Sequence, residues 1–180
     1  MNNTYYFIRH AHSSYTPDEI NRPLSDKGRE SLAQIEFLAD KLITAIYSSP
    51  YQRAVQTVEP LAQSLKLAIQ TDKRLIERKL SSQAIADQDF EQCLMQLWSQ
   101  PAFSLVDGES NQQAQQRALA LLHELESKHQ NEEIIISSHG NLICILLSAF
   151  DSSIDYNFWR SLSMPDVLVL GKDEKITRLL

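Results

Sequence analysis

The chain has 180 residues, 43% of them hydrophobic and 22% charged, which is ordinary for a globular protein and enough to bury a core. Its 17 basic and 23 acidic residues give a formal charge of −6, which argues against a general nucleic-acid or anionic-membrane binder, since either needs a broad basic face. No stretch approaches the roughly 18 apolar residues of a membrane helix, and the opening MNNTYYFIRH has neither a basic region nor a long apolar run, so no secretory leader is expected there. Cys93 and Cys144 show no metal-ligand spacing and are read as buried thiols in a reducing, cytoplasmic setting.

Short β-type runs alternate with longer helical patterns, which predicts a three-layer α/β/α fold around a mostly parallel mixed sheet, in one domain over residues 1–180. Thr4 to Arg9 reads as the first strand, rich in aromatic and β-branched residues. A helix follows Ser25, with Leu32, Ile35, Ala39 and Leu42 on its buried side. Ala45 to Ser48 is a second strand. Ser49-Pro50-Tyr51-Gln52 then reads as a helix start, with Ser49 as cap, Pro50 at the first position and Gln52 closing a capping box. Val55, Val58, Ala62 and Leu65 mark the buried stripe of that helix, which Pro60 is expected to kink or divide.

In residues 78–106, a cap-like segment, Phe90, Leu94, Leu97 and Trp98 suggest one helix. Ser110 to Gln113 is another capping box, opening a long helix that turns Ala114, Ala118, Leu121, Leu122 and Leu125 to the core. The run Ile134-Ile135-Ile136 fits a central strand covered on both faces. A helix from about Asn141 to Phe150 follows, and Val167 to Leu170 and Ile176 to Leu180 close the chain as two strands around Gly171.

Arg9-His10, Ser48 through Arg53, and His139-Gly140-Asn141 each end a predicted strand. Ligands of open parallel sheets bind beyond those ends, and the second and third positions also begin helices, whose free N–H groups favour anions. Each residue has a plainer reading on its own: Arg9 and Arg53 as salt-bridged arginines, His139 as a helix-capping histidine, His10-Ala11-His12 as a hint of metal ligation that no cysteine or carboxylate cluster completes. Together they describe a phosphate site.

FIRHAHSS, NRPLSDKGRE, YSSPYQRAVQT, RLIERKL, DGES and ISSHGNL, in that order, resemble the histidine phosphatase (phosphoglycerate mutase-like) superfamily, branch 1, over nearly the whole chain. The resemblance implies a phosphoglycerate mutase-like fold and a phosphoryl group passing through a phosphohistidine on His10. Arg9, Arg53 and His139 would ring that group, Ser13, Thr16 and Gly140 would join the substrate site, and Glu77 would be the proton donor to the leaving oxygen. The chemistry asks for a neutral histidine, planar guanidinium donors and a protonated carboxyl, and it requires neither metal nor cofactor.

The sequence departs from the family's pattern at four places. Ala11 stands where glycine is usual, His12 where an acidic or amide residue is common, Thr16 where asparagine is frequent, and ERKLSSQ lacks the glycine and aromatic that often follow the glutamate. Arg22 reads as a solvated loop arginine and Ser110 as a helix cap. The expected activity is hydrolysis of a small phosphorylated metabolite. Phosphoglycerate mutase-type transfer, protein-phosphohistidine hydrolysis and a non-catalytic phospho-ligand module are the alternatives.

Overall fold

A computed structural model describes residues 1–180, the side chain of Asp87 left aside. Six strands form one sheet: β1 (Thr4–Arg9), β2 (Ile43–Ser48), β3 (Ile69–Thr71), β4 (Glu133–Ser138), β5 (Asp166–Leu170) and β6 (Ile176–Arg178), in spatial order β3-β2-β4-β1-β5-β6. β3, β2, β4 and β1 run parallel, whereas β5 pairs antiparallel with both β1 and β6. The mixed, mostly parallel α/β architecture is the one expected.

Alternation along the strands divides the core in two. Tyr5 and Phe7 of β1, with Ile134 and Ile136 of β4, pack on one face under α4 (Asn111–Lys128) and α5 (Gly140–Leu147). Tyr6, Ile8, Ile46 and Ile135 point the other way, against α2 (Gln52–Leu65) and the turn after α1 (Asp26–Glu30). Ile134, Ile135 and Ile136 are at most 1% exposed, so a strand without polar alternation sits in the middle of the sheet. α3 (Asp87–Ser99) and α6 (Tyr156–Arg160) lie outside this framework, and Trp98 and Trp159 stack with ring centroids 6.5 Å apart. Among the described residues no helix is long and apolar enough to cross a membrane.

The capping box at Ser110 forms, with the Ser110 side chain accepting from Gln113 N and the Gln113 side chain from Ser110 N. All five apolar positions named for the helix behind it are buried. Several local expectations are corrected. The helix after Ser25 is α-helical only to Glu30 and tightens into 3₁₀ turns over Ser31–Asp40, burying Ile35 and Leu38. Leu42 is 81% exposed because the chain has left the helix by Lys41.

α2 begins at Gln52, with Tyr51 rather than Ser49 at its cap position and no side-chain capping bond. The Ser49 hydroxyl accepts from the Tyr51 N–H at 3.3 Å and has a second, distant partner described below. Pro60 does not divide α2; it stands on the exposed side, so the one helical bond it removes is lost on the solvated face. Val55 and Leu65 are only half-buried, and Ala54, Thr57 and Leu61 fill the stripe with Val58 and Ala62. In α3, Leu94 and Leu97 are buried while Phe90 is 44% exposed. Cys93, on the flank of that helix, is half-buried; Cys144 is buried as expected.

Candidate active site

The carboxyl ends of β1, β2 and β4 converge. His10 continues the β1–β4 ladder, its N–H donating to the Ser138 carbonyl at 3.0 Å, and Ser49 does the same from β2 to Ser137 at 2.8 Å. Backbone pairing therefore holds both turns before any side chain is considered. Ala11 N–H donates to Thr57 Oγ1 at 3.0 Å, and Thr57 Oγ1 donates back along α2 to the Arg53 carbonyl at 2.7 Å, which ties the His10 turn to the helix bearing Arg53.

His10 has one tautomer available in this setting. Its Nδ1 lies 2.7 Å from the Ala11 carbonyl, which can only accept, so Nδ1 carries the hydrogen and Nε2 keeps its lone pair. Arg53 Nε donates to that Nε2 at 3.2 Å. Burial, and after it the positive charges of Arg53, Arg9 and Arg22, bring the His10 pKa down to about 3, so the ring is neutral over the physiological range. His139 is wholly buried, its ring edge-on to His10 at 5.2 Å and to Tyr51 at 5.1 Å. Burial also holds its pKa well below the ordinary value. His139 Nε2 meets Ser49 Oγ at 2.9 Å, and its Nδ1 has no partner among the described residues. Ser49 thus orients the second histidine, a role hidden by the local cap pattern.

Arg9 donates from Nη1 to the Leu162 carbonyl at 2.8 Å, and its guanidine passes closely over Gly140. A Cβ on Gly140 would lie 2.7 Å from Arg9 Nε and 3.0 Å from Cδ, so the first residue of α5 has to be glycine for Arg9 to lie there. Arg53 is 4% exposed, stacked 4.9 Å over the Tyr51 ring and held by Glu19 at both its carbonyl and its carboxylate.

Glu77 sits at the N-terminus of α5, its carboxylate accepting from the N–H groups of Arg78 at 2.8 Å, Asn141 at 3.3 Å and Leu142 at 3.0 Å. Burial pushes its pKa above the ordinary carboxyl value, against the pull of those donors and of the adjacent Arg78 charge. Gly140 through Leu142 therefore link the His139 turn to Glu77.

Two loop residues expected in the substrate site stand differently. Ser13 is half-buried and bridges to Leu24 through its backbone. Thr16 donates its hydroxyl hydrogen to the Asp18 carbonyl at 3.0 Å within a turn, so that proton is committed locally. Arg22 is not the solvated arginine expected: its side chain is 16% exposed, donates to Glu19 Oε1 and the Thr16 carbonyl, and lies 4.9 Å over Tyr15. Glu19, which joins Arg22 to Arg53, was not foreseen, and no short-range pattern marks it. His12 pairs with Ser25 Oγ at 2.7 Å, and among the described residues no three His, Cys, Asp or Glu side chains are grouped to hold a metal.

Comparisons with known proteins identify the family and the fold. The histidine phosphatase superfamily (branch 1) matches over residues 5–170. Phosphoglycerate mutase-like protein 4 of Arabidopsis thaliana is 25% identical over 151 residues, 76% of this chain, and the match spans 66% of that relative's length. Among solved structures, a mycobacterial glucosyl-3-phosphoglycerate phosphatase complexed with VO3 superposes with a TM-score of 0.80 at 21% identity, covering 98% of this chain and 97% of that one. Bacillus stearothermophilus YhfR does so with a TM-score of 0.79 at 23% identity, covering 99% and 96%. The protein belongs to the histidine phosphatase superfamily, branch 1.

Proposed function

We propose that the protein is a phosphomonoester hydrolase working through a phosphohistidine on His10 Nε2. The observation that carries this reading is the fixed tautomer of His10: Nδ1–H is spent on the Ala11 carbonyl, leaving an unprotonated Nε2 beside Arg53. In the first step the Nε2 lone pair forms a bond to phosphorus as the ester P–O bond breaks. Glu77, whose raised pKa favours the protonated form, gives its proton to the departing oxygen. In the second step water attacks the phosphohistidine, Glu77 takes the water proton, the N–P bond breaks and neutral His10 returns with inorganic phosphate.

Arg9, Arg53 and His139 serve the charge on the equatorial oxygens, since phosphoryl transfer asks the protein mainly for position and charge. Gly140 leaves room for Arg9 beside that group. Replacing His10 with alanine should lower turnover of p-nitrophenyl phosphate by about 10⁵-fold, since loss of a covalent nucleophile removes the whole pathway. Acid-labile label on His10 during turnover is the accompanying measurement. A His10→Ala protein of undiminished activity, or a wild type inert toward phosphomonoesters between about pH 5 and pH 8, the range where a general base is tuned, removes the reading. The name of the Arabidopsis relative raises the mutase alternative. It predicts isomerised phosphoglycerate instead of free phosphate in the same assay.

A further inference from the structure

The loop between β1 and α1 sets a carboxylate where the proposed reaction needs an oxyanion. Glu19 Oε2 accepts from Arg53 Nη2 at 3.2 Å, and its other oxygen, Oε1, accepts from Arg22 Nη2, so one carboxylate bridges two arginines. The backbone of the same residue is held too, with Arg53 Nη1 donating to the Glu19 carbonyl at 2.7 Å. The arginines are covered, with side-chain exposures of 5% for Arg53 and 16% for Arg22, whereas the Glu19 side chain is 53% exposed. Arg53 Nε lies 3.2 Å from the nucleophilic nitrogen of His10. A solvated acid thus bridges two enclosed cations beside the nucleophile.

We propose that Glu19 is an internal competitor for the phosphoryl site: its carboxylate holds the arginine pair that a phosphomonoester must take over, and so sets a minimum charge on any ligand that enters. The proposal rests on the phosphate-site reading above. A carboxylate offers two oxygens to two guanidinium donors, as two equatorial oxygens of a phosphoryl group would. Carried on its own loop, it acts at an effective concentration of about millimolar or more, so a free monoanionic carboxylate has no advantage over it. A phosphate monoester carries about −1.5 to −2 at pH 7 with three acceptor oxygens, and that extra charge displaces the internal acid. Release is cheap for Glu19, because its exposed side chain only returns to water. Charge would then be discriminated by an internal repulsive element, without a steric pocket for each wrong ligand.

The test is calorimetric titration of inorganic phosphate into wild type, Glu19→Gln and Glu19→Ala, each first shown to melt like the wild type. Removing the competitor should tighten phosphate binding about tenfold, equivalent to about 1.4 kcal/mol. KM for p-nitrophenyl phosphate should fall by a similar factor while kcat stays within about twofold. Unchanged or weaker phosphate binding in both variants overturns the proposal and makes Glu19 a residue that positions Arg53. The titration needs no turnover. Tightening in a protein that hydrolyses no phosphomonoester would sink the hydrolase reading alone, and normal turnover with no tightening would sink this proposal alone.

Discussion

The floor of the site and the segment after Glu77 are built on different terms. At the floor, Ser48, Ser49, Ser137, Ser138 and His139 are each at most 1% exposed, and the turns that carry His10 and Ser49 are bonded into the sheet. In residues 79–109 the loop bonds join the two ends of the segment to each other, Glu109 N to the Lys79 carbonyl at 2.8 Å and Ser82 N to the Val106 carbonyl at 3.0 Å, while Leu94 and Leu97 are its buried residues. Phe90, Met95 and Val106 of that segment remain 44%, 55% and 54% exposed. Groups that perform chemistry have to be placed within fractions of an ångström, and the sheet provides that rigidity. Groups that contact the variable part of a substrate can sit on a less constrained segment, where changes do not disturb the floor.

The comparison can be broken most forcefully at Gly140. Alanine there would put a Cβ 2.7 Å from Arg9 Nε and 3.1 Å from its Cζ, so the guanidine has to move. Because misplacement of about an ångström costs on the order of 10²-fold, kcat/KM should drop by about that factor. Thermal stability should hold or rise slightly, since alanine at a helical position reduces the entropy of the unfolded chain by up to about 1 kcal/mol. Unimpaired kcat/KM would mean that the floor tolerates displacement and is no more rigid than the outer segment.

A second, smaller effect separates the regions by pH. The fold brings the His10 pKa to about 3, below the value of about 6.5 for an unfolded histidine. Between those values the unfolded chain binds a proton that the folded chain refuses, so stability from this group is present above about pH 6.5 and is lost as pH falls toward 3. His10→Gln should therefore flatten the acid loss of stability by up to about 1.4 kcal/mol per pH unit, read as urea midpoints at several pH values. The change should be absent above pH 7, where both states are neutral. Parallel curves for the two proteins would place His10 in water rather than in the enclosed floor.

The same contrast explains what the sequence disclosed. The convergence of Arg9, His10, Arg53 and His139 was legible because they lie at or just beyond the ends of strands with unmistakable apolar runs, and strand ends converge by topology. α4 was legible because Ser110 and Gln113 satisfy its first donors within four residues. Ser49 was misread for the opposite reason: Ser-Pro-Tyr-Gln satisfies every local rule for a cap, yet its hydroxyl is engaged by His139 ninety residues away in sequence. Glu19 is missed, and Arg22 read as solvated, because their meaning depends on how the β1–α1 loop folds back on Arg53. That closure is set by the Ile20 carbonyl accepting from Gln52 N and by Leu24 N donating to Gln56, contacts with no periodic signature. Leu42 and Pro60 were misplaced because apolar spacing does not say where an α-helix gives way to 3₁₀ turns or which face a proline occupies.

The smallest effect lies at the seam between the two regions. α4 starts where the outer segment ends, and its Arg117 donates to the Ile76 carbonyl at 2.9 Å and to Glu109 Oε2 at 2.8 Å, so it braces the chain on either side of Glu77. Ser110→Ala would undo the capping box at the head of this helix, at a cost of about 1 kcal/mol. Glu77 itself is anchored on the other helix, by the N–H groups of Asn141 and Leu142. Stability should therefore fall by about that amount while kcat for a slow-leaving alkyl phosphate stays within about twofold, because the proposed proton donor is held from α5. A tenfold or greater loss of kcat would show that Glu77 depends on α4 through Arg117, and the boundary between rigid floor and adaptable wall would then have to be drawn beyond α4.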